Sequence, residues 1–388
     1  MKNSKKFFSK IAVMMIGVLF ILSSSGCTAS KDTDTIKIGA SFALTGNVSV
    51  YGIAARNGVE LAIKEYEETG GKLDKKIEFI VEDNKGSEVD AANAFNKLVD
   101  REKIDVFIGS DISGTTLTIA ELAAEKKIPM ITPTATALPV TEKGDNVFRA
   151  CYIDSFQGGM MGKFAATELQ AKTATILYNF GSDYSEGIAS TFEEVFQENG
   201  GTIVGKESYT NDDKDFKSIL TNVKAQNPDV LFIPDYYEMV ALIARQVHEV
   251  GIQSILLGVD GWDGVIDQTN DFPEAVEGAY FANHYATDDP KPEIQNFVNN
   301  YKEVYGEVPN ALAALGYDAG KIILEALEKA GTTEPEAVIN ALKTTNVDYV
   351  TGHIEFDEKR NPIKSISVIK LEQVNGKLQQ KAYTTIEP

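Results

Sequence analysis

From Ile36 onward the apolar positions switch repeatedly between two spacings. Ile36–Ala43 (IKIGASFA) is a short apolar-rich run of strand type, closed by a Gly/Asn/Ser turn. Across Tyr51–Thr69, Ile53, Ala54, Val59, Leu61, Ala62, Ile63 and Tyr66 recur at helical spacing. Ile77–Glu82 alternates as a strand, and Glu88–Asp100 carries Ala91, Ala94, Phe95, Leu98 and Val99 along a helix. Asp105–Gly109 (DVFIG), a helix over Gly114–Lys127 and a brief strand at Pro129–Thr132 complete the series.

A second series begins after Arg149. The spacing predicts helices over Ser155–Leu169, Tyr184–Asn199, Asp215–Ala225 and Glu238–Val250, the last closed by Gly251 as a C-cap. Between and after them, Ala174–Asn179, Thr202–Ser208, Asp229–Pro234, Ser254–Gly258 and Gly278–Ala282 read as strands. The tail differs: helices at Glu293–Tyr305, Ala311–Ala330 and Pro335–Lys343 come before a strand at Ser365–Leu371. Strands alternating with helices of this length indicate parallel βαβ units. The expected fold class is α/β, with two Rossmann-like lobes on parallel sheets and several chain crossings between them. Doubly wound sheets bind ligands beyond the carboxyl ends of their strands, so the cleft between the lobes is the expected site.

Residues 1–27 read as an export signal. Lys2, Lys5, Lys6 and Lys10 precede the apolar run Ile11–Leu22. A hydrocarbon core needs about 20 apolar residues, so a run this short suits a signal peptide. Ser23-Ser24-Ser25-Gly26-Cys27 follows and resembles a bacterial lipobox, with Ser24 where Leu is usual. The expectation is lipidation of Cys27 and anchoring to the outer face of the cell membrane. An ordinary secretory signal cleaved beside a cysteine is the alternative. Residues 28–35 are polar and read as a tether.

The formal net charge of -20 excludes nucleic acid as a partner, since phosphate binding needs clustered Lys and Arg. Beyond Cys27 the other cysteine is Cys151, which leaves no disulfide framework and no thiolate metal site. His248, His284 and His353 show no ligand spacing and read as surface or interface residues. Asn211–Asp215 (NDDKD) lacks the Gly and Glu of an EF-hand loop and reads as helix capping. No cofactor is expected.

Several loops at strand ends have useful chemistry. Gly109–Thr116 (GSDISGTT) enters a helix, where free amide N–H groups and the helix dipole favour a carboxylate. Ser113 as a simple N-cap is an equal reading. Thr132–Thr136 (TPTAT) is again hydroxyl-rich. In the second series Ser182–Gly187, Asp235–Tyr237 and Val259–Trp262 supply aromatics and a carboxylate. Asp260, standing before Gly261, is either an ammonium partner or a turn residue.

The ordered set FALTG…YG, FIGSDISGTT, ITPTAT, DYSEG, DYYE and LLGVDG resembles the branched-chain amino-acid (leucine/isoleucine/valine) binding proteins of type I periplasmic fold, which serve ABC importers. The likeness covers nearly all of Ile36–Leu371. Carried onto this chain, it implies that Ser113 and Thr136 take the ligand carboxylate, and that the Thr134 carbonyl and Thr136 hydroxyl meet the ammonium. Asp260 stands where well-known members have a Glu one carbon longer. Tyr184 and Tyr236 would close over the ligand, while Tyr51 and Leu312 would border its side chain; Trp262 is a further candidate for that border, with no register to fix it. The resemblance also implies a first lobe of residues 36–153 with 285–363 and a second of 154–284 with 364–388.

The implied function is capture of a small aliphatic amino acid for ABC transporter permease subunits, by a monomer held at the membrane through its lipid. One rival keeps the fold and binds an amide, aromatic or organic acid, or short peptide. Another is an extracellular sensing module. An enzyme is disfavoured, for the loops show no nucleophile–His–Asp set, no paired carboxylates and no cofactor fingerprint.

Overall fold

The computed structural model describes residues 34–388; the signal segment, Cys27 and the tether up to residue 33 lie outside the described residues. The first sheet holds β1 (Thr35–Phe42), β2 (Lys76–Asp83), β3 (Val106–Gly109), β4 (Met130–Thr132) and β5 (Val147–Arg149), in the order β2-β1-β3-β4-β5. The β1–β3, β3–β4 and β4–β5 pairs are parallel. Helices α1 (Ser49–Glu68), α2 (Glu88–Lys97) and α3 (Ser113–Lys126) make the crossovers. Strands β3, β4 and β5 are buried throughout, which is why β3 and β4 read as short apolar-rich runs.

The second sheet repeats the plan. Strands β6 (Thr173–Asn179), β7 (Thr202–Tyr209), β8 (Val230–Phe232), β9 (Ile255–Gly258) and β10 (Tyr280–Asn283) lie in the order β7-β6-β8-β9-β10. Helices α4 (Asp154–Thr167), α5 (Asp183–Glu198), α6 (Lys217–Gln226) and α7 (Tyr237–Val250) connect them. Each sheet therefore has its own switch point, between β1 and β3 in the first and between β6 and β8 in the second.

After β10 the chain forms α8 (Pro292–Tyr305), α9 (Ala311–Ala330) and α10 (Pro335–Leu342). Helix α9 lies directly against α1. A Cβ at Gly316 would stand 2.2 Å from the Ala55 carbonyl, and one at Gly58 2.0 Å from that of Ala313. Small residues on both helices permit this approach, and it returns the chain to the first sheet. A hairpin, β11 (Asn346–Tyr349) with β12 (Gly352–Glu355), follows. Strands β13 (Ile366–Val374) and β14 (Lys377–Ile386) then join the second sheet antiparallel, beside β10.

Helix α9 runs over the predicted residues, and most other predicted elements agree within two residues. Strand β5, the β11–β12 hairpin and β14 go beyond the prediction. β5 has three residues, too few for a period. β14 (KLQQKAYTTI) is polar and nowhere fully buried, so it offers no apolar alternation. Its signal is the Asn375-Gly376 turn, where both residues have positive φ, 54° and 76°, as a two-residue type I′ hairpin requires.

Candidate ligand-binding site

The loops that follow β3 and β4 face those that follow β6, β8 and β9. All eight residues singled out in the sequence, Tyr51, Ser113, Thr134, Thr136, Tyr184, Tyr236, Asp260 and Leu312, line one cavity. Asp111, Ile112 and Gly261 complete its wall. The space between the surrounding atoms, open solvent included, is about 270 Å³.

From the first sheet come the polar loops. Asp111 ties the two sides of the switch point together: its Oδ1 accepts the Ala43 N–H at 3.0 Å and the Ser110 hydroxyl at 2.8 Å. The Thr134 hydroxyl donates to the Asp111 carbonyl at 2.7 Å. Ser113 is the first residue of α3, and the N-cap position is held by Ile112 without a side-chain bond. The capping role weighed for Ser113 is thus not the one it plays; its Oγ accepts the Ala137 N–H at 3.2 Å, fixing the β4 loop against α3. The start of α3 remains a place where amide donors meet the cavity.

From the second sheet come the acid and the aromatics. Tyr184 and Tyr236 stack with ring centroids 4.7 Å apart. The Tyr184 hydroxyl donates to Asp260 Oδ1 at 2.6 Å. Burial, then the Asp260 charge, pushes the Tyr184 phenol well above its usual range, so it stays a donor. Tyr236 is raised in the same way, by burial and then by Asp235. Tyr51 reaches across from α1: its hydroxyl donates to the Gly261 carbonyl and accepts the Tyr237 N–H at 3.2 Å. The Tyr237 hydroxyl in turn donates to the Asn47 carbonyl at 2.8 Å. These bonds close loops from both sheets over the cavity.

Trp262 does not reach the cavity. It is fully buried beneath the β8 and β9 loops, with Nε1–H donating to the Ile233 carbonyl at 2.8 Å. His248 and His353 are exposed, whereas His284 is buried, with Nε2 3.0 Å from Asp260 Oδ2. Its surface assignment is therefore corrected: it follows β10, whose end lies beside that of β9. Sequence reasoning also passed over Asp154. At the start of α4, its Oδ1 accepts the Gln157 amide at 3.1 Å, and its N–H donates to the Thr136 carbonyl at 3.0 Å. Burial raises Asp154 to about 7; the Thr136 hydroxyl opposes the shift and the Asp260 charge adds to it. Folding thus brings Asp154 within the field of Asp260, which no sequence spacing announced.

Asp154 makes stability depend on pH. The folded chain keeps this proton to about pH 7 and the unfolded chain loses it near 3.8, so stability falls as pH rises through that window. Asp154→Asn removes the titration. Urea unfolding of ligand-free protein should find the variant's advantage growing from about pH 4 to above pH 7, by on the order of 4 kcal/mol in all. A pH-independent difference would refute this.

Among the described residues no cluster of His, Cys, Asp and Glu is arranged to hold a metal ion, and no helix is long and apolar enough to cross a membrane. Cys151 is buried, and burial pushes its thiol up to about 12.

The profile of the periplasmic binding protein family matches residues 35–376. The chain belongs to that family. Among solved structures of the family, the leucine-binding protein LivK from Thermotoga maritima is 35% identical, with a TM-score of 0.84, covering 91% of this chain and 99% of its own. The branched-chain amino-acid transporter substrate-binding protein LivJ from Streptococcus pneumoniae, solved in complex with isoleucine, is 31% identical. Its TM-score is 0.85, covering 91% of this chain and 100% of its own. The Leu/Ile/Val-binding protein BraC3 from Rhizobium johnstonii is 31% identical over 314 residues, 79% of this chain and 83% of that one. The fold is thus the type I, two-lobed periplasmic binding fold.

Proposed function

We propose that this protein is the extracytoplasmic solute-binding component of an ABC importer and that it captures a small aliphatic amino acid between its lobes. The observation that carries the reading is the make-up of the cavity wall: amide and hydroxyl donors at the start of α3 and after β4, facing Asp260 and two stacked tyrosines. A zwitterion entering this space loses its hydration, which charge-assisted hydrogen bonds must replace. Ser113 and Thr136 would hold the carboxylate. The Thr134 carbonyl, the Thr136 hydroxyl and Asp260 would hold the ammonium. Leu312 and Tyr51, together with Ile112, leave an apolar border for a side chain without charge.

The lobes in this reading are residues 36–153 with 285–363 and 154–284 with 364–388, joined by three crossing segments. Ligand supplies contacts to both lobes at once and so favours the closed form, which the permease subunits would recognise. Cys27 would carry the lipid that keeps the protein at the membrane, as a monomer. The names of LivK, LivJ and BraC3 favour a branched-chain or similar ligand.

The test is calorimetric titration of protein unfolded and refolded to strip carried ligand, with each proteinogenic amino acid in turn. Ligand at 100 times its dissociation constant adds about 2.7 kcal/mol of stability, so a parallel melting screen should agree. Binding of an aliphatic group of amino acids supports the reading and names the cargo. Binding of none sinks it and turns the search to amides and organic acids.

A further inference from the structure

We propose that His284 is the positioning residue for the ammonium-binding acid: its Nε2–H donates to Asp260 and holds that carboxylate aimed into the cavity. The inference rests on the amino-acid reading above.

The hydrogen-bond pattern around the ring assigns its proton. Nε2 stands 3.0 Å from Asp260 Oδ2, while Nδ1 is buried without a partner. A neutral imidazole has one donor and one acceptor nitrogen, and only the Nε2–H form satisfies the carboxylate. Burial, opposed by Asp260, holds the His284 pKa below the ordinary histidine range, so the neutral form is the resident one. The ring has little freedom to turn. It stacks on Tyr152, centroids 3.8 Å apart and planes at 22°, and the His284 N–H donates to Asn283 Oδ1 at 2.8 Å.

Asp260 thus receives one donor on each oxygen, Tyr184 on Oδ1 and His284 on Oδ2. A carboxylate offers about four lone-pair sites, so two donors leave room for an ammonium. What they fix is the orientation of the carboxylate. His284 and Asp260 both stand at strand ends of the second sheet, β10 and β9, while Tyr152 lies on the segment crossing from the first. The acid is therefore braced at the end of its own sheet, beside that crossing segment.

A ring that serves only to pack on Tyr152 and a ring that serves as donor respond oppositely to two substitutions. His284→Phe keeps an aromatic ring over Tyr152 and removes the donor. His284→Gln gives up the ring and retains an N–H donor close to the place of Nε2. The measurement is calorimetric affinity for the wild-type protein's amino acid, with melting of each ligand-free variant alongside. His284→Gln is expected to bind within about threefold of wild type and His284→Phe to lose roughly 10- to 100-fold, the range for a hydrogen bond to a charged group. Wild-type affinity in the Phe variant, or a Gln variant as weak as the Phe variant, overturns the proposal while leaving the amino-acid reading in place. A wild-type protein that binds no amino acid overturns both, so the two failures are distinct.

Discussion

Asp260→Asn is expected to weaken amino-acid binding by about 2–5 kcal/mol, roughly 30-fold to several thousand-fold in Kd. Asp260 is 6% exposed and its carboxylate has fixed donors on both oxygens. An ammonium placed beside it exchanges water for a charged acceptor in a low dielectric. With Asn the cavity keeps its shape and loses its charge, so the ligand's ammonium is buried with only the Thr134 carbonyl and the Thr136 hydroxyl as partners. The fold should tolerate the change, because a buried charge is removed without one being stranded in the protein. Calorimetry with the wild-type ligand reads the loss, and unfolding by urea checks the fold. Near wild-type affinity in this variant would sink the role given to Asp260.

The second large effect concerns the segment that leads into β13. Lys364 is 3% exposed, and its ammonium donates to the Ala150 carbonyl at 3.1 Å and to the Thr351 hydroxyl. Beside it, Asp318 of α9 accepts the Thr351 N–H at 2.9 Å and the Val350 N–H at 3.1 Å. Burial lowers Lys364 to about 8 while the Asp318 charge opposes the shift, so at pH 7 it is mostly protonated. Lys364→Met leaves Asp318 as an uncompensated buried charge, a loss of about 3–5 kcal/mol of folding stability. Removing both charges leaves none stranded, so Lys364→Met with Asp318→Asn should recover part of the loss, the Asn amide leaving one of the Val350 and Thr351 N–H groups without its acceptor. Urea unfolding at pH 7 reads both. A single variant within 1 kcal/mol of wild type would mean that Lys364 does not neutralise Asp318.

The same distinction between local and distant partners separates what could be read in the residues from what could not. The α/β alternation was legible because a buried parallel strand and an amphipathic helix each write their period into a few consecutive residues. Helix α9 reads plainly, for its apolar positions wrap most of its surface. Polar, exposed β14 and three-residue β5 carry no such period. The loops at strand ends were legible too, since Gly, Ser, Thr and Tyr cluster there, and the ordered motifs added the roles proposed for Ser113, Thr136 and Asp260.

The sequence by itself determined two doubly wound lobes, the loops that could meet a ligand and, through the family resemblance of its ordered motifs, a set of eight candidate residues. Tertiary structure alone decided that those eight share one cavity, that Ser113 braces the β4 loop instead of capping α3, and that Trp262 belongs to the core. It alone brought His284 onto Asp260 and put Asp154 within the field of that acid. The reason is range. Periodicity and turn chemistry act over neighbouring residues, whereas Tyr51 meets Gly261 across 210 positions and Lys364 meets Ala150 across 214. A buried histidine and a buried aspartate look like any other polar residue until the fold removes their water and names their partners.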